Sequence, residues 1–442
     1  MVTYLCKTCI SAARIIYFGM AIYLGLGSNL GDRKQNLNDA ITRLAERGVH
    51  CVRCSPVIET PALLPDDASW EWNIPFLNAV IEVTTDNTPA QVLATIHSIQ
   101  SEFKRDNIKR WSPRPIDIDI LLWHNEQIST DSLIIPHKDL HLRHFVLTPL
   151  IALSPSLTIP GRGKKTLLEW SKELPHHIPL WMGILNATPD SFSDGGVNFS
   201  ADTLAKNASD MVQHGASILD IGGESTRPGA QHIEPETEWQ RIGPFVEQTA
   251  GANSKKFIRP LISVDTRHVE TAAKSINCGV DFINDVSGLS DPSMIELAAD
   301  NNCQWIAMHN VGVPADPKHI IKGDPVQEVA AWLESKLTLW TKAGIALDNI
   351  IFDPGLGFGK DPLQSLKLLQ AASQFREYGL RLLIGHSRKS FMKTFISEDI
   401  NERDLATIGV SMQLCQQGVD IIRVHNIADH MSAYRGWSHV KG

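Results

Sequence analysis

The 442-residue chain has no surplus of positive charge, since 49 acidic against 41 basic residues leave a formal net charge of −8. Nucleic acids and anionic membrane surfaces are bound through clustered Lys and Arg, so neither is expected as a main partner. Any anionic substrate must find a local basic pocket. Disulfide-forming sequence is scarce too. Cys6, Cys9, Cys51, Cys54, Cys278, Cys303 and Cys415 are an odd, scattered set, which argues for a reducing, cytoplasmic setting. The two C-x-x-C pairs stand too far apart for a zinc ribbon. Long uncharged apolar runs are missing: the most apolar stretch, "CISAARIIYFGMAIYLGLG", is broken by Arg14 and lacks a signal peptide's charged start and cleavage site. The phosphate-binding spacings GxxxxGK[ST] and GxGxxG are absent from "YLGLGSNLGDR", which excludes a P-loop or Rossmann site there.

What is present is a globular composition, 43% hydrophobic and 20% charged, in a chain long enough for two or three domains. Residues 1–19 read as an unassigned extension, and the folded pattern opens at Met20. Over residues 20–160, strands expected at Ala21–Leu26, Phe76–Thr84 and Ile116–Trp123 alternate with helices near Arg33–Glu46 and Pro89–Lys104, giving a compact α+β domain. Residues 161–178, with prolines and a Gly-Arg-Gly turn, read as a linker. Residues 179–442 change rhythm. The apolar runs "LWMGILN", "SILDIGG", "LISVDT", "DFINDV", "WIAMHN", "IIFDPG", "LLIGHS" and "DIIRVHN" are each followed by a helical stretch, which predicts an α/β (β/α)₈ TIM barrel.

Active sites of such barrels form at the C-terminal ends of the strands. The sequence places there Asn186, Glu224 with Thr226 and Arg227, Asp265, Asn284 with Asp285, His309, Asp353, Lys389 beside Arg388, and Arg423 with His425. One or two of these are expected to be helix caps. The remainder combines carboxylates, amides and cations, a set suited to a polar heterocycle and an anion. Asp353 and Asn284 can meet an aminopyrimidinone edge, and Arg423 and His425, two apart on one strand, share a face where a diphosphate could sit. The loops "TPDSFSDGG" and "STRPGA" read as mobile lids.

The motifs "MGILNATPDSFSDGG", "GGESTRPGA", "SVDT", "INDV", "DPGLGFGK", "GHSRKS" and "IIRVHN" together resemble dihydropteroate synthase across residues 179–442. The resemblance implies condensation of a dihydropterin methyl diphosphate with p-aminobenzoate, releasing pyrophosphate. It implies one Mg²⁺ on the diphosphate at Asn186, and a pterin surrounded by Asp265, Asn284, Asp353 and Lys389. Thr226, Arg227, Phe358 and Ser387 then lie near the aminobenzoate, and Arg423 with His425 on the diphosphate. His386 departs from the family's usual small or apolar residue and reads as a packing variant.

In the first domain "PIDIDILLW" alternates, so Ile116, Ile118 and Ile120 face a core while Asp117 and Asp119 share the other face, about 7 Å apart. Two like charges so placed call for a cation, and carboxylates with phosphates suit Mg²⁺. "KRWSPRP" and "PHKDLHLRHF" add Lys109, Arg110, Arg114, His137 and Arg143, a basic rim fit for a triphosphate. Taken together, "GLGSNLGDR", "ETPAL", "FLNAV", "RWSPRPIDIDIL" and "IPHKDLHLRHFVLTPL" resemble 6-hydroxymethyl-7,8-dihydropterin pyrophosphokinase.

That resemblance implies a ferredoxin-like fold, transfer of diphosphate from ATP to the pterin hydroxymethyl group with release of AMP, and two Mg²⁺ bridged by Asp117 and Asp119. It places Phe76, Phe145, Asn78, Thr60 and Trp111 on the pterin, Arg110, His137 and Arg143 on ATP, and Arg105 and Arg114 in the transfer itself. Two departures stand out: the family's upstream loop arginines fall on Lys104 and Asp106, one position either side of Arg105, and Gln100 replaces a common Glu.

The whole chain thus reads as a bifunctional folate-pathway transferase acting on small molecules, with a homodimer through the barrel domain. The alternatives are a synthase with a weak or structural first domain, and a pterin-dependent methyltransferase barrel. "SRKS" and "RVH" favour an anionic leaving group over the latter.

Overall fold

The computed structural model describes residues 21–103, 111–187, 201–225, 230–253, 256–316, 318–396 and 399–441. The chain divides into two units, Met1–Ser171 with Lys256–Ile258, and Lys172–Lys255 with Arg259–Gly442.

The first unit runs β1 (Ile22–Ser28), α1 (Arg33–Ala45), β2 (His50–Cys54), β3 (Ile58–Thr60), β4 (Phe76–Thr84), α2 (Pro89–Glu102) and β5 (Asp117–Trp123). A short ribbon of β6 (Ile128–Ser129) and β7 (Ile134–Ile135), then α3 (His144–Leu153) and α4 (Leu167–Ser171), complete it. The antiparallel sheet has the order β2-β4-β1-β5 with β3 added to β4, the ferredoxin-like arrangement. Both long helices begin at side-chain caps. Asp32 accepts from the Gln35 N–H, and Thr88 and Gln91 form a reciprocal capping box ahead of Pro89. β2 escapes detection in the sequence because it lies at the sheet edge, is bulged between Cys51 and Arg53, and shows no clean alternation.

One sheet face carries the core: Leu24 and Leu26, Ala79, Ile81 and Val83, and Ile118 and Ile120 pack with Leu37, Ile41 and Leu44 of α1 and Val92, Ile96 and Ile99 of α2. Each large aliphatic side chain so buried contributes roughly 1.5–3 kcal/mol. Strand alternation then fixes what the opposite face must display: Gly25 and Gly27, Phe76 and Asn78, Asp117 and Asp119.

In the second unit all eight predicted runs become strands: β8 (Leu180–Asn186), β9 (Ile218–Gly222), β10 (Leu261–Asp265), β11 (Phe282–Asp285), β12 (Gln304–Met308), β13 (Ile350–Asp353), β14 (Arg381–Gly385) and β15 (Ile421–Val424). They are parallel and close in sequence order into a barrel. Between them run α5 (Ala201–His214), α6 (Pro235–Asn253), α7 (Val269–Asn277), α8 (Pro292–Asp300), α9 (Pro325–Lys342), α10 (Pro362–Gln370), α11 (Ala372–Phe375) and α12 (Ile400–Gln416), and α13 (Ile427–Lys441) ends the chain. Among the described residues no helix is long and apolar enough to cross a membrane.

The N-terminal end of the barrel is tied by one buried carboxylate. Asp420, just before β15, accepts from Arg376 Nη2 at 3.1 Å and from the Leu382 N–H at 2.8 Å, and lies 3.2 Å from His177 Nε2. Burial alone would raise its pKa, but Arg376, His177 and the Leu382 N–H outweigh that and hold it well below the usual carboxylate range.

Candidate active sites

The face left open in the first unit lines a cleft that opens to solvent. Across the β1–β5 pairing Gly27 lies opposite Asp117 and Gly25 opposite Asp119, so neither carboxylate is covered by a cross-strand side chain. A Cβ on Gly27 would come within 3.2 Å of Asn78 Oδ1 and 3.3 Å of the Phe76 ring, so any side chain there would have to push these two residues aside by a few tenths of an ångström. Thr60, Phe76, Asn78, Trp111, Arg114, Asp117, Asp119, Arg143 and Phe145, proposed from separate motifs, line this one cleft.

Its polar groups are held in place. Asn78 Nδ2 donates to Thr60 Oγ1 at 2.9 Å, fixing which way the amide points. Arg114 Nη1 lies 3.3 Å from Asp117 Oδ2, and its backbone N–H donates to Asn29 Oδ1 at 2.7 Å. Arg143 pairs with Asp139 at 2.8 Å and lies 5.7 Å from the Phe145 ring centre. His137 accepts the Asp139 N–H at Nδ1, and burial with the nearby Arg143 pushes its pKa down to about 4, leaving a neutral imidazole. The Gln100 amide reaches Asp117 Oδ1 at 3.5 Å, a donor where Glu would add another negative charge. Arg105, Arg110, Lys104 and Asp106 lie outside the described residues. Two carboxylates on one strand face, opposed by glycines in an open cleft, fit hard-cation binding by Asp117 and Asp119.

In the barrel, alternate strands contribute one layer of inward side chains: Asp220 from β9, Asn284 from β11, Asp353 from β13 and Arg423 from β15. Asp220 Oδ2 accepts from Arg423 Nε at 2.6 Å and from Asn284 Nδ2 at 3.1 Å, while Arg423 Nη2 donates to Asp265 at 2.7 Å. A Cβ on Gly385 would stand 3.8 Å from Arg423 Cδ and 3.9 Å from Asp353 Oδ2, so that glycine leaves both groups room. Burial raises Asp265, with Asp220 and Glu238 adding to the effect and Arg423 and Lys389 opposing it. Asp353 is likewise pushed up by burial, to about 6, although it accepts the Gly355 N–H at 2.7 Å.

Lys389 Nζ lies 4.5 Å from the Phe358 ring centre, and His425 Nδ1 is 2.9 Å from Ser387 Oγ. Asn186 ends β8, separated from Asp265 only by Gly222, where a Cβ would be 3.7 Å from its Oδ1. A single neutral oxygen there suits a cation whose other ligands are phosphate and water. Thr226 and Arg227 lie outside the described residues.

Four strand-end groups turn out to serve other purposes. Both oxygens of Glu224 are taken by Arg267 at 2.8 Å. Glu224, His232 and His268 do bring ligand-type atoms within 4.8 Å, but Arg267 also donates to His232 Nδ1 at 2.9 Å, so a guanidinium fills the place a metal would need. Asp285 accepts from the Ser287 and Leu289 N–H groups and is a loop cap. Arg388 is paired with Asp404 through two 2.8 Å bonds. His309 Nδ1 sits 2.8 Å from the buried Lys360 Nζ, which also donates to the Gly355 and Phe358 carbonyls and pins the turn bearing Phe358. Burial lowers Lys360 to about 7. His386 is fully buried, with Nε2 near Thr407 O and Ser411 Oγ, as a packing residue should be.

Sequence reasoning missed Asp220 and Lys360. Attention to strand ends passed over Asp220, whose signal was a lone carboxylate inside the apolar run "SILDIGG". Lys360 was hidden in a glycine-rich turn that only folding wraps around it.

Comparisons with known proteins match each of the two units to a family. Residues 23–155 match the family model of 7,8-dihydro-6-hydroxymethylpterin-pyrophosphokinase, and residues 182–425 that of pterin binding enzymes. The chain is 33% identical to the folate synthesis bifunctional protein of Chlamydia caviae, over 92% of this chain and 95% of the relative. It is 34% identical to a mitochondrial folate synthesis bifunctional protein of Arabidopsis thaliana, over 93% and 81%. Among solved structures, the Yersinia pestis dihydropteroate synthase in a sulfonamide drug complex is 33% identical, with a TM-score of 0.55 over 60% of this chain and 94% of that one. A Clostridium difficile dihydropteroate synthase determined in the presence of pteroic acid gives 32% and 0.54, over 59% and 96%. With both units matched in order along nearly its whole length, the chain belongs to the bifunctional folate synthesis proteins, a pyrophosphokinase domain followed by a dihydropteroate synthase barrel.

Proposed function

We propose that the two sites described run the two activities of this family, the product of the first being the substrate of the second. The observation that carries the proposal is the pairing of Asp117 and Asp119 with bare glycines in one unit, alongside a polar layer across the barrel of the other.

In the first site Phe76 and Phe145 flank the pterin, offset stacking adding about 0.5–1.5 kcal/mol beyond burial. Asn78, oriented by Thr60, reads the heterocycle's amide edge, and Trp111 closes the wall. Arg114 and Arg143, with Arg105, Arg110 and His137, face the ATP phosphates and base. Asp117 and Asp119 would hold two Mg²⁺, which neutralise phosphate charge when bound. The substrate hydroxyl oxygen attacks the β-phosphorus of ATP, forming one P–O bond as the bond from that phosphorus to the α–β bridging oxygen breaks, AMP leaves with the bridging oxygen, and the hydroxyl proton is released to solvent.

In the barrel Asp353, Asn284, Asp265 and Lys389 surround the pterin. Arg423 and His425 take the diphosphate as its C–O bond breaks, and Asn186 would hold one Mg²⁺ that, when bound, would offset the charge of that diphosphate. The p-aminobenzoate nitrogen, placed by Thr226, Arg227, Phe358 and Ser387, then forms the new C–N bond and loses a proton. Leaving-group stabilisation and positioning supply the catalysis. A homodimer through the barrel and a cytoplasmic location belong to the same proposal, and sedimentation of the pure protein tests the former.

The decisive experiment supplies ATP, hydroxymethyldihydropterin, Mg²⁺ and p-aminobenzoate to wild type and Asp119→Asn. The variant should lose AMP formation yet retain condensation from added pterin diphosphate within a few fold. Equal loss of both activities in a folded variant sinks the two-site division.

A further inference from the structure

We propose that Asp220, which carries no part of the chemistry, is the positioning residue of the synthase site: it holds Arg423 and Asn284 in register across the floor of the pterin subsite. The inference rests on the reading of that subsite given above.

Asp220 is fully buried on β9, two residues below the strand end, inside an otherwise apolar run. A carboxylate is expensive to bury unless its lone pairs are taken up. Here they are, by three strands. Oδ1 accepts the Ser263 hydroxyl of neighbouring β10 at 2.6 Å, and Oδ2 accepts Arg423 Nε from β15 and Asn284 Nδ2 from β11. β15 and β11 lie two strands away on opposite sides of β9, so one side chain couples the two flanks of the barrel.

The consequence for Arg423 is specific. A long guanidinium side chain alone in a cavity has several rotamers, and ordering it on ligand binding costs conformational entropy. With Nε bound to Asp220 and Nη2 to Asp265, its plane is set before substrate arrives, and Nη1 is the nitrogen outside both pairs. Asn284 gains similarly, since the bond from Nδ2 to Asp220 decides which amide atom is left for the heterocycle. Asp265 and Asp353, both held high by burial, are the carboxylates that face the ligand, whereas Asp220 lies beneath them. Outer partners that orient a site's ligands typically matter by 10–100-fold.

The test uses the full-length protein, with denaturant unfolding of the barrel as the check on its integrity and the kinase activity of the first unit as a measure of active protein. Asp220→Asn keeps the shape but replaces one acceptor by a donor facing Arg423. Its kcat/KM for the pterin diphosphate should fall roughly 10–100-fold, while the KM for p-aminobenzoate stays within about threefold and AMP formation is unchanged. Adding Asp220→Asn to Arg423→Ala should cost clearly less than Asp220→Asn costs in the wild type, because the share acting through Arg423 is already gone and only the Asn284 contact remains to be lost. Should Asp220→Asn fail to fold, Ser263→Ala loosens the same carboxylate more gently and should raise the pterin KM several-fold with p-aminobenzoate KM unmoved. An unchanged pterin kcat/KM in folded Asp220→Asn, equal losses for both substrates, or fully multiplicative losses in the double variant overturns the proposal. If Arg423→Ala also leaves the pterin parameters untouched, the subsite reading falls with it; if only Arg423→Ala is impaired, that reading stands and the role of Asp220 does not.

Discussion

The two ends of the barrel bury carboxylates in opposite ways. At the N-terminal end Asp420 is saturated by Arg376, His177 and a backbone N–H, and its pKa is driven down. At the C-terminal end Asp265 and Asp353 have fewer opposing charges than burial demands, and their pKa values are driven up. A fully partnered charge has nothing left to offer a ligand and serves to close the barrel. An incompletely compensated one has been left for something to bind.

The largest effect should come from breaking the saturated end. Asp420→Asn strands Arg376 in the interior and should destabilise the barrel by about 3–5 kcal/mol in denaturant unfolding, with little change in turnover per folded molecule. The acid limb carries the same signature. A depressed carboxylate contributes stability above its unfolded pKa that is lost as pH falls toward the folded value, and a histidine lowered by burial, as His177 is, loses stability below about 6.5. Wild type should thus lose barrel stability progressively below about pH 6.5, and Asp420→Asn should keep the histidine's part of that slope but lack the further loss below about pH 4 that the carboxylate contributes.

At the other end Arg423→Ala leaves Asp220 short of its cation yet still bonded to Ser263 and Asn284, so it should lower stability less than Asp420→Asn does while lowering kcat/KM for the pterin diphosphate by about 10² or more in the folded enzyme. A variant that unfolds instead would make the top of the barrel resemble the bottom and dissolve the contrast. A smaller, pH-dependent effect belongs to Asp353, held near 6 by burial and faced by the Gly355 N–H, Lys389, Arg423 and Lys360. Pterin donors favour its ionised form, so affinity measured by titration should begin to weaken near pH 7, where Asp265 titrates, and steepen below about 6 as Asp353 adds its own loss. Asp353→Asn should show a shallower dependence, Asp265 still titrating. The smallest change is expected at Arg388, adjacent to Lys389 but bound to Asp404. Arg388→Gln should cost less than about 1 kcal/mol of stability and leave both pterin and p-aminobenzoate kinetics within twofold.

The eight-run rhythm and the alternation of Ile116, Ile118 and Ile120 with Asp117 and Asp119 were legible in the sequence because strand periodicity and barrel layout are local, repeating signals. The strand-end rule singled out Asn186, Asp265, Asn284, Asp353, Lys389, Arg423 and His425 for the same reason. It also swept in Glu224, Asp285 and Arg388, which end or follow strands as well but find Arg267, backbone N–H groups and Asp404 nearby. Nothing local announces those partners.

What the sequence by itself determined is therefore the order and kind of elements, and the residue types available at each strand end. Only the tertiary structure decided which of them meet. Gly25 and Gly27 become the floor beneath two aspartates through the β1–β5 register, and Asp220 becomes the link between Arg423 and Asn284 through barrel closure. The partners lie 203 and 64 residues from Asp220 along the chain. Period and propensity act over a few residues, whereas a buried charge is satisfied by whatever the fold brings within 3 Å, and that is a property of the closed barrel alone.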